Sequence, residues 1–278
     1  MVDPLPHDTR ALVRPSQALA HFRLQRWRPG PPLGRFVDWF WRTEWHLDEP
    51  FVQPIVTYPA VNVVVQADGS FTATGVQTGN DGRRIEGDGW AIGAKFRVAG
   101  FRPFTTTPVS TITGWSGPAE HVLGATAGGI AAAVVAATDP LDAVAAMAAG
   151  LGPLAPTAPT TGEALSDLVE AAVAEDPPVT RVDELAARAG TSVRSLQRRF
   201  AEHVGLSPKA VLERYRAQAA GEAALDPDQP WAEVAVRLGY ADQAHLTQDL
   251  RTHFGAPPAQ YARAEAAGRS DERGVRSR

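Results

Sequence analysis

The feature that most constrains this chain is an internal repeat near its C-terminal end, where residues 181–215 align with residues 230–263. The first half of the repeat matches at an offset of 49, pairing Leu185, Ala186 and Gly190 with Val234, Ala235 and Gly239. After a one-residue insertion the offset becomes 50, pairing Leu196, Phe200, Gly205 and Pro208 with Leu246, Leu250, Gly255 and Pro258. A short helix carrying a small alanine, then a glycine, then a second amphipathic helix is the pattern of a helix-turn-helix unit. The repeat therefore predicts two such units in tandem.

Each unit presents an outward row of polar side chains on its second helix. In the first unit Thr191 or Ser192 can cap that helix, and Val193, Leu196, Phe200 and Val204 are predicted to face inward. Its outer row is then Arg194, Ser195, Gln197, Arg198 and Arg199. In the second unit the inward set is Ala244 or His245 with Leu246, Leu250 and Phe254, and the outer row is Asp242, Gln243, Thr247, Gln248 and Arg251. Arginine pairs with guanine edges and glutamine with adenine edges, so both rows can read DNA.

The second unit ends in a distinctive pattern: Gly239-Tyr240, then Leu246 to Gly255, then Ala256-Pro257-Pro258-Ala259-Gln260-Tyr261. With the two units joined by a long helix over about residues 208–224, the chain resembles the AraC-type (AraC/XylS) transcription regulators over about residues 166–263. The resemblance implies that the two recognition helices enter successive major grooves of double-stranded promoter DNA, about 34 Å apart. It also implies DNA contacts by eight residues: Arg194, Ser195, Gln197, Arg198, Gln243, His245, Thr247 and Gln248. For His245, packing beside the turn is an equal alternative.

The chain departs from that family in the second unit. Gln248 stands where the family commonly has an arginine, and Asp249 and Thr252 stand where it has basic residues. We therefore expect the second unit to hold phosphate less strongly than the first.

The N-terminal half predicts a mainly β domain. Short apolar segments at residues 55–58, 61–65, 71–73, 90–92 and 95–98 alternate with turn signals at residues 67–70, 79–82 and 87–89. Residues 32–41 are an exception, because their apolar side chains recur at helical spacing and predict a short helix that leads into a strand near Trp41. Residues 118–149 become alanine-rich and helical, with Asp139-Pro140 as a start signal.

The predicted fold class is α+β. A mainly β sensor-like domain, built as a cupin-like barrel or a sandwich and closed by helices, would occupy residues 1–150. Three prolines in residues 152–161 predict a stiff linker over residues 151–161. An all-α domain with the two helix-turn-helix units follows over residues 162–266, and residues 267–278 are predicted to be a flexible tail.

Charge and composition narrow the function further. The net charge is −4, but residues 178–278 hold 15 Lys and Arg against 13 Asp and Glu, so the positive charge lies toward the C-terminal half. The chain has no cysteine, which excludes disulfides, thiolate metal sites and cysteine nucleophiles. The first residues lack the pattern of a secretion signal, and the most apolar stretch, residues 128–137, is too short to span a bilayer. We expect a cytoplasmic protein without a membrane partner.

Aromatic residues in the N-terminal half suggest a ligand site. Candidate ligand-binding residues are Trp39, Trp41, Tyr58, Phe96 and Arg102; the alternative for the aromatic ones is core packing. Residues 95–104 are similar to a segment in sensor domains of some AraC-type proteins, although Ala99 replaces its proline. The histidines of this half, His7, His21, His46 and His121, are scattered, so we expect no metal and no other cofactor.

The sequence thus predicts a DNA-binding regulator and not an enzyme, since no catalytic motif is recognisable. Residues 1–150 would bind a small-molecule effector or mediate dimerisation, with RNA polymerase as a further partner of an activator. Two alternatives remain open: a ligand-free regulator whose N-terminal domain only makes protein contacts, and a β-domain enzyme with a DNA-binding appendage.

Overall fold

The structure is a computed structural model that describes residues 2–5, 9–10, 12–55, 58–79, 82–226 and 228–275, with side chains as far as Ala266. Its N-terminal part, within those residues, contains a seven-stranded antiparallel sheet with the strand order β1-β2-β3-β6-β4-β5-β7. The strands are β1 (Val2–Pro4), β2 (Arg23–Pro29), β3 (Val37–Gln53), β4 (Asn62–Gln66), β5 (Phe71–Thr74), β6 (Arg83–Phe96) and β7 (Ser116–Pro118).

The two faces of this sheet have different roles because side chains alternate along each strand. One face forms the hydrophobic core and includes Phe40 of β3, Val63 of β4 and Ile92 of β6. It is covered by α3 (Thr126–Ala136) and α4 (Pro140–Leu151), which follow the short helices α1 (Pro15–Leu19) and α2 (Glu120–Leu123). The opposite face borders a cavity.

The sequence predicted parts of this sheet correctly. The segments at 61–65 and 71–73 are β4 and β5, joined by the predicted turn at 67–70. The segments at 90–92 and 95–98 were expected as separate elements, but residues 90–92, 95 and 96 belong to one strand, β6. Part of the predicted strand at 55–58 and of the predicted turn at 79–82 lies outside the described residues.

Two predictions in this region are wrong. The turn expected at residues 87–89 lies inside β6, because these residues pair with residues 45–47 of β3, where Gly89 leaves room for an aromatic ring. A Cβ on Gly89 would lie 2.6 Å from the Trp45 ring, and one on Gly93 would lie 2.4 Å from the Trp41 ring. The helix expected over residues 32–41 is one 3-10 turn, Leu33–Arg35, and β3 begins at Val37. The sequence left a barrel and a sandwich open, and the strands of the described residues form one sheet.

The C-terminal part is helical, as predicted. It contains α5 (Thr161–Ala174), α6 (Val182–Arg188), α7 (Val193–His203), α8 (Pro208–Ala223), α9 (Trp231–Arg237), α10 (Gln243–Phe254) and α11 (Pro258–Val275). Residues 267–275 of the predicted tail continue α11, and residues 276–278 lie outside the described chain. None of the described helices has the length and apolar character needed to cross a membrane.

Ion pairs fasten the sheet to the C-terminal helices. The Arg97 guanidinium lies 2.6 Å from both Asp167 and Glu170 of α5, and Arg102 lies 2.6 Å from Glu202 of α7. Arg35 pairs with Glu163 and also donates to the carbonyl oxygens of residues 156–158 in the linker. The linker is therefore held against the sheet.

The N-terminal segment also reaches the last helix. Val13 packs in the hydrophobic cluster of the second helix-turn-helix unit, and the Arg14 N–H donates to the Tyr261 hydroxyl over 2.9 Å. Ser16 donates its backbone N–H and its hydroxyl to the buried Glu265 carboxylate. These contacts place residues 13–16 between the sheet and α11.

Candidate nucleic-acid interface

The first helix-turn-helix unit consists of α6 and α7. Gly190 adopts a φ of 59°, the left-handed conformation that ends α6 sharply. The Ser192 hydroxyl then caps α7 by accepting a hydrogen bond from the Ser195 N–H. The contact between the helices is closed by buried Leu185, Ala186, Leu196, Phe200 and Val204. Val193 was predicted to face inward, but it is 37% exposed because it lies at the first turn of α7, beyond this packing.

The outer face of α7 carries the arginine row. Arg194, Gln197 and Arg198 are exposed and Ser195 is partly buried. Neither Arg194 nor Arg198 has a hydrogen bond or ion pair with any described residue, whereas Arg188 on α6 pairs with Glu175 and Glu184. The α7 arginines are one turn apart and their guanidinium groups are available to an external anion.

The second unit, α9 and α10, repeats this geometry. Gly239 has a φ of 70°, and the Asp242 carboxylate caps α10 by accepting from the His245 N–H over 2.8 Å. Leu246, Leu250 and Phe254 are buried. Of the predicted contact residues, Gln243, His245 and Gln248 are exposed and Thr247 is partly buried. The His245 ring also meets the Tyr240 ring edge-on with centroids 5.3 Å apart, so it supports the turn as well as facing outward.

Sequence reasoning missed one contact in this unit. The Tyr240 hydroxyl donates to the Asp249 carboxylate over 2.8 Å, and the Arg216 guanidinium lies 4.3 Å from the centre of the Tyr240 ring. Burial, with Asp249 next to it, raises the pKa of Tyr240. The Gly-Tyr pair was visible in the repeat, but its partner Asp249 was interpreted only as a lost phosphate contact. The structure gives Asp249 an internal acceptor role.

The predicted ligand residues divide into two groups. Trp39, Trp41 and Tyr58 line a cavity of about 390 Å³ on the inner face of the sheet, together with Arg26, Trp45 and Lys95. Phe96 and Arg102 are outside its lining. Because side chains alternate along β6, Lys95 faces the cavity and Phe96 packs in the core against Phe101 and Phe104. Arg102 is at the junction of the two parts, paired with Glu202.

Lys95 is a cavity residue outside the predicted ligand set, although it begins the segment 95–104 that the sequence singled out. Its ammonium nitrogen lies 2.6 Å from an Asp38 oxygen, 4.3 Å from the Trp39 ring centre and 4.1 Å from the Tyr58 ring centre. Burial lowers the pKa of Lys95, and Asp38 offsets part of that shift. The available signal was the alternation of side chains along the strand, which places Lys95 on the same face as Gly93 and Ala91. Within the described residues, no group of three His, Asp or Glu side chains could hold a metal ion.

Two family models match this chain. Residues 185–264 match a helix-turn-helix domain, and residues 25–116 match a domain of unknown function, DUF6597. The first match spans both units described above.

Among curated proteins, an uncharacterised HTH-type transcriptional regulator of Haemophilus influenzae is 29% identical over 80 residues, which is 29% of this chain and 27% of that protein. The HTH-type transcriptional regulator MtrA of Neisseria gonorrhoeae is 27% identical over 97 residues, 35% of this chain and 32% of that protein. The chain therefore spans about a third or less of the length of these relatives.

Two solved structures complete the comparison. An AraC-type DNA-binding domain protein from Chromobacterium violaceum has a TM-score of 0.34 and 22% identity, over 37% of this chain and 91% of that one. The unsaturated fatty acid bound ToxT of Vibrio cholerae has a TM-score of 0.41 and 8% identity, over 87% of this chain and 95% of that one.

The family match and the coordinates agree on the C-terminal part. The match covers the second repeat copy and all but the first four residues of the first copy. Each copy has the capped recognition helix and the left-handed glycine that the fold requires. Residues 185–264 of this chain are therefore a helix-turn-helix domain with two units, in agreement with the resemblance that the sequence showed.

Proposed function

We propose that the chain is a transcription regulator that binds specific double-stranded promoter DNA through α7 and α10. The observation that carries the proposal is the outer face of α7, where Arg194 and Arg198 are exposed and have no protein partner among the described residues. Side chains with this arrangement can pair bidentately with guanine or hold phosphate. The amide-rich face of α10, with Gln243 and Gln248, suits adenine edges.

The eight predicted contact residues are retained in this proposal with unequal weights. The α7 set supplies charge, and the α10 set supplies hydrogen bonds with little charge. Since phosphate contacts dominate affinity and base contacts specify sequence, we expect α7 to contribute more to affinity than α10.

The decisive experiment measures binding of a duplex from the protein's own upstream region by fluorescence anisotropy. Arg194→Ala and Arg198→Ala should each weaken binding by about 1–3 kcal/mol where the arginine contacts a base, and at particular base pairs only. Where it contacts phosphate, every sequence should weaken alike and the salt slope should fall by about one.

The matched control is Arg28→Ala, which removes the same charge from an exposed position on β2. It should bind DNA like the wild type. Wild-type affinity for both α7 variants would remove the proposed recognition helix.

We also propose that the N-terminal domain binds a small-molecule effector in the cavity of about 390 Å³. A cavity of this volume lies within the usual range of small-molecule sites. It favours an effector-responsive regulator over one whose N-terminal domain is a solid core. The effector would change DNA affinity only as far as it binds the DNA-competent arrangement more or less tightly than the other arrangement.

The enzyme alternative receives no support from the cavity, since its described lining contains no His, Asp or Glu. We include a non-enzymatic role and a cytoplasmic location in the proposal as expectations from the sequence. A homodimer, and RNA polymerase as a partner of an activator, are also part of it.

A further inference from the structure

The cavity has a cationic end. Arg26 and Lys95 line it and are only 7% and 3% exposed, and both lie against the Trp39 ring at 4.7 and 4.3 Å from its centre. Two buried cations that lie against the same indole ring fix positive charge at a defined place. Arg83 and Arg84 are also in the lining, whereas the described lining residues include no carboxylate.

Lys95 retains hydrogen-bonding capacity. An ammonium group has three N–H donors, and within the described residues the Lys95 ammonium has one acceptor, the Asp38 carboxylate at 2.6 Å. The Asp38 side chain is 34% exposed, so water shares that carboxylate. The Trp39 and Tyr58 rings lie against the same ammonium group, and its N–H groups that do not bond Asp38 can turn to an acceptor that enters the cavity.

Another part of the cavity lining contains two indole rings. Trp41 and Trp45 lie on one face of β3, each opposite a glycine of β6 that lets its ring lie close to the backbone. Both rings remain partly exposed. The faces of these two indole rings suit a planar hydrocarbon or aromatic group, which would remove the rings from water.

We infer that the cavity binds an organic anion with a flat apolar body, its acid group beside Lys95 and Arg26 and its body along Trp41 and Trp45. The inference rests on the proposed effector role and specifies the chemical class of the ligand. The competing groups are acceptors: Asp38 beside Lys95, and the buried Oε1 atom of the lining residue Gln53, which has no hydrogen-bond partner among the described residues. A ligand selected by these acceptors would be a cation or a neutral donor instead.

Three probes of one shape separate these outcomes: 2-naphthoate, 2-naphthamide and 2-naphthylmethylamine. Isothermal titration calorimetry on the full chain, without DNA, should show that the acid binds at least about tenfold more tightly than the amide, since it exchanges a neutral hydrogen bond for a charge-assisted one. The amine should bind more weakly still. Equal affinity of acid and amide, stronger binding of the amine, or no binding of the acid would each overturn the inference.

Variants of this chain test which residues bind the acid group and which bind the apolar body of the ligand. The double variant Asp38→Asn with Lys95→Gln removes both charges together, so no carboxylate is left without its partner, and it should reduce the preference for the acid over the amide to the part that Arg26 supplies. Trp41→Ala should weaken acid and amide by the same factor. Arg23→Gln, on the exposed side of β2, should change neither affinity.

Thermal unfolding confirms that each variant folds, and the wild-type comparison of the three probes decides the inference even where a variant does not. Because the titration contains no DNA, its failure leaves the α7 experiment unaffected. If the α7 experiment contradicted the proposed DNA contacts, the inference about the ligand class would likewise be unaffected.

Discussion

At the scale of single residues, two glycines shape the cavity. Gly89 and Gly93 are in β6 opposite Trp45 and Trp41, and the indole rings occupy the space that a side chain would need. Glycine is uncommon inside strands because it adds no packing, so its presence here reflects the close approach of the rings to the backbone.

Gly93→Ala should therefore move the Trp41 ring. The added Cβ would be 2.4 Å from ring atoms, and we expect the free energy of unfolding to fall by about 1–3 kcal/mol as the ring is displaced. Chemical denaturation measures the loss, and tryptophan fluorescence should shift with it.

The control is Gly128→Ala in α3, where a Cβ meets nothing within 4 Å. Alanine is favoured over glycine in a helix, so this variant should gain about 0.5–1 kcal/mol. Wild-type stability and an unchanged fluorescence spectrum in Gly93→Ala would contradict the proposed role of the glycine.

At the scale of elements, the turn of the second helix-turn-helix unit is joined to its recognition helix by one side-chain hydrogen bond. Tyr240 is in the turn and Asp249 is in the middle of α10, two turns beyond its cap. The first unit has no tyrosine at the corresponding position, where Thr191 follows Gly190. The bond holds α10 at a fixed angle to the turn.

Tyr240→Phe should cost about 0.5–1.5 kcal/mol of stability, because it removes that hydrogen bond and keeps the ring. Thermal unfolding measures the cost. Asp249→Asn keeps an acceptor oxygen for the hydroxyl and should cost less. If Asp249→Asn proved more damaging than Tyr240→Phe, the charge of Asp249 and not its hydrogen bond would be the important property.

The elements also show what a sequence can predict. The two helix-turn-helix units were predictable because the helix cap, the glycine of the turn and the spacing of apolar residues are local signals. The repeat contains each of these signals twice. The sheet was harder to predict. In residues 36–41 a bulge between Val37 and Trp39 breaks the alternation of side chains between the two faces, so the spacing of the aromatic residues resembles that of a helix. Phe96 was predicted for the cavity in place of Lys95, since strand phase is set by pairing with β3 and β4. Arg102 was also placed there, although its partner Glu202 is 100 residues away.

At the scale of the whole molecule, the junction between the sheet and the helices contains a half-buried histidine. His203 is the last residue of α7, close to Gly162 at the start of α5, and its Nδ1 atom is buried without a hydrogen-bond partner among the described residues. Burial lowers the pKa of His203, and the nearby Arg102 and Arg199 act in the same direction, while Glu202 opposes them.

Folding should therefore weaken in mild acid. The unfolded chain binds a proton at the ordinary histidine pKa of 6.5, but folded His203 binds one only at lower pH. The free energy of unfolding should fall as the pH drops below about 6.5, until the folded pKa is reached. Denaturation at a series of pH values measures this slope.

His203→Gln should reduce the slope. An equal slope in wild type and His203→Gln would assign the acid sensitivity to other groups, of which His253 also has a pKa lowered by burial.

The alternation of side chains along the sheet has a consequence for engineering. Positions such as Phe40, Ile92 and Val63 stabilise the fold on one side, while Trp41, Ala91 and Val64 face the cavity from the other. Under the proposed effector role, stability and ligand selectivity would depend on different positions of the same strands. The positions that face the cavity can be randomised in a library to obtain biosensors for new compounds. The positions that face the hydrophobic core would be left as they are.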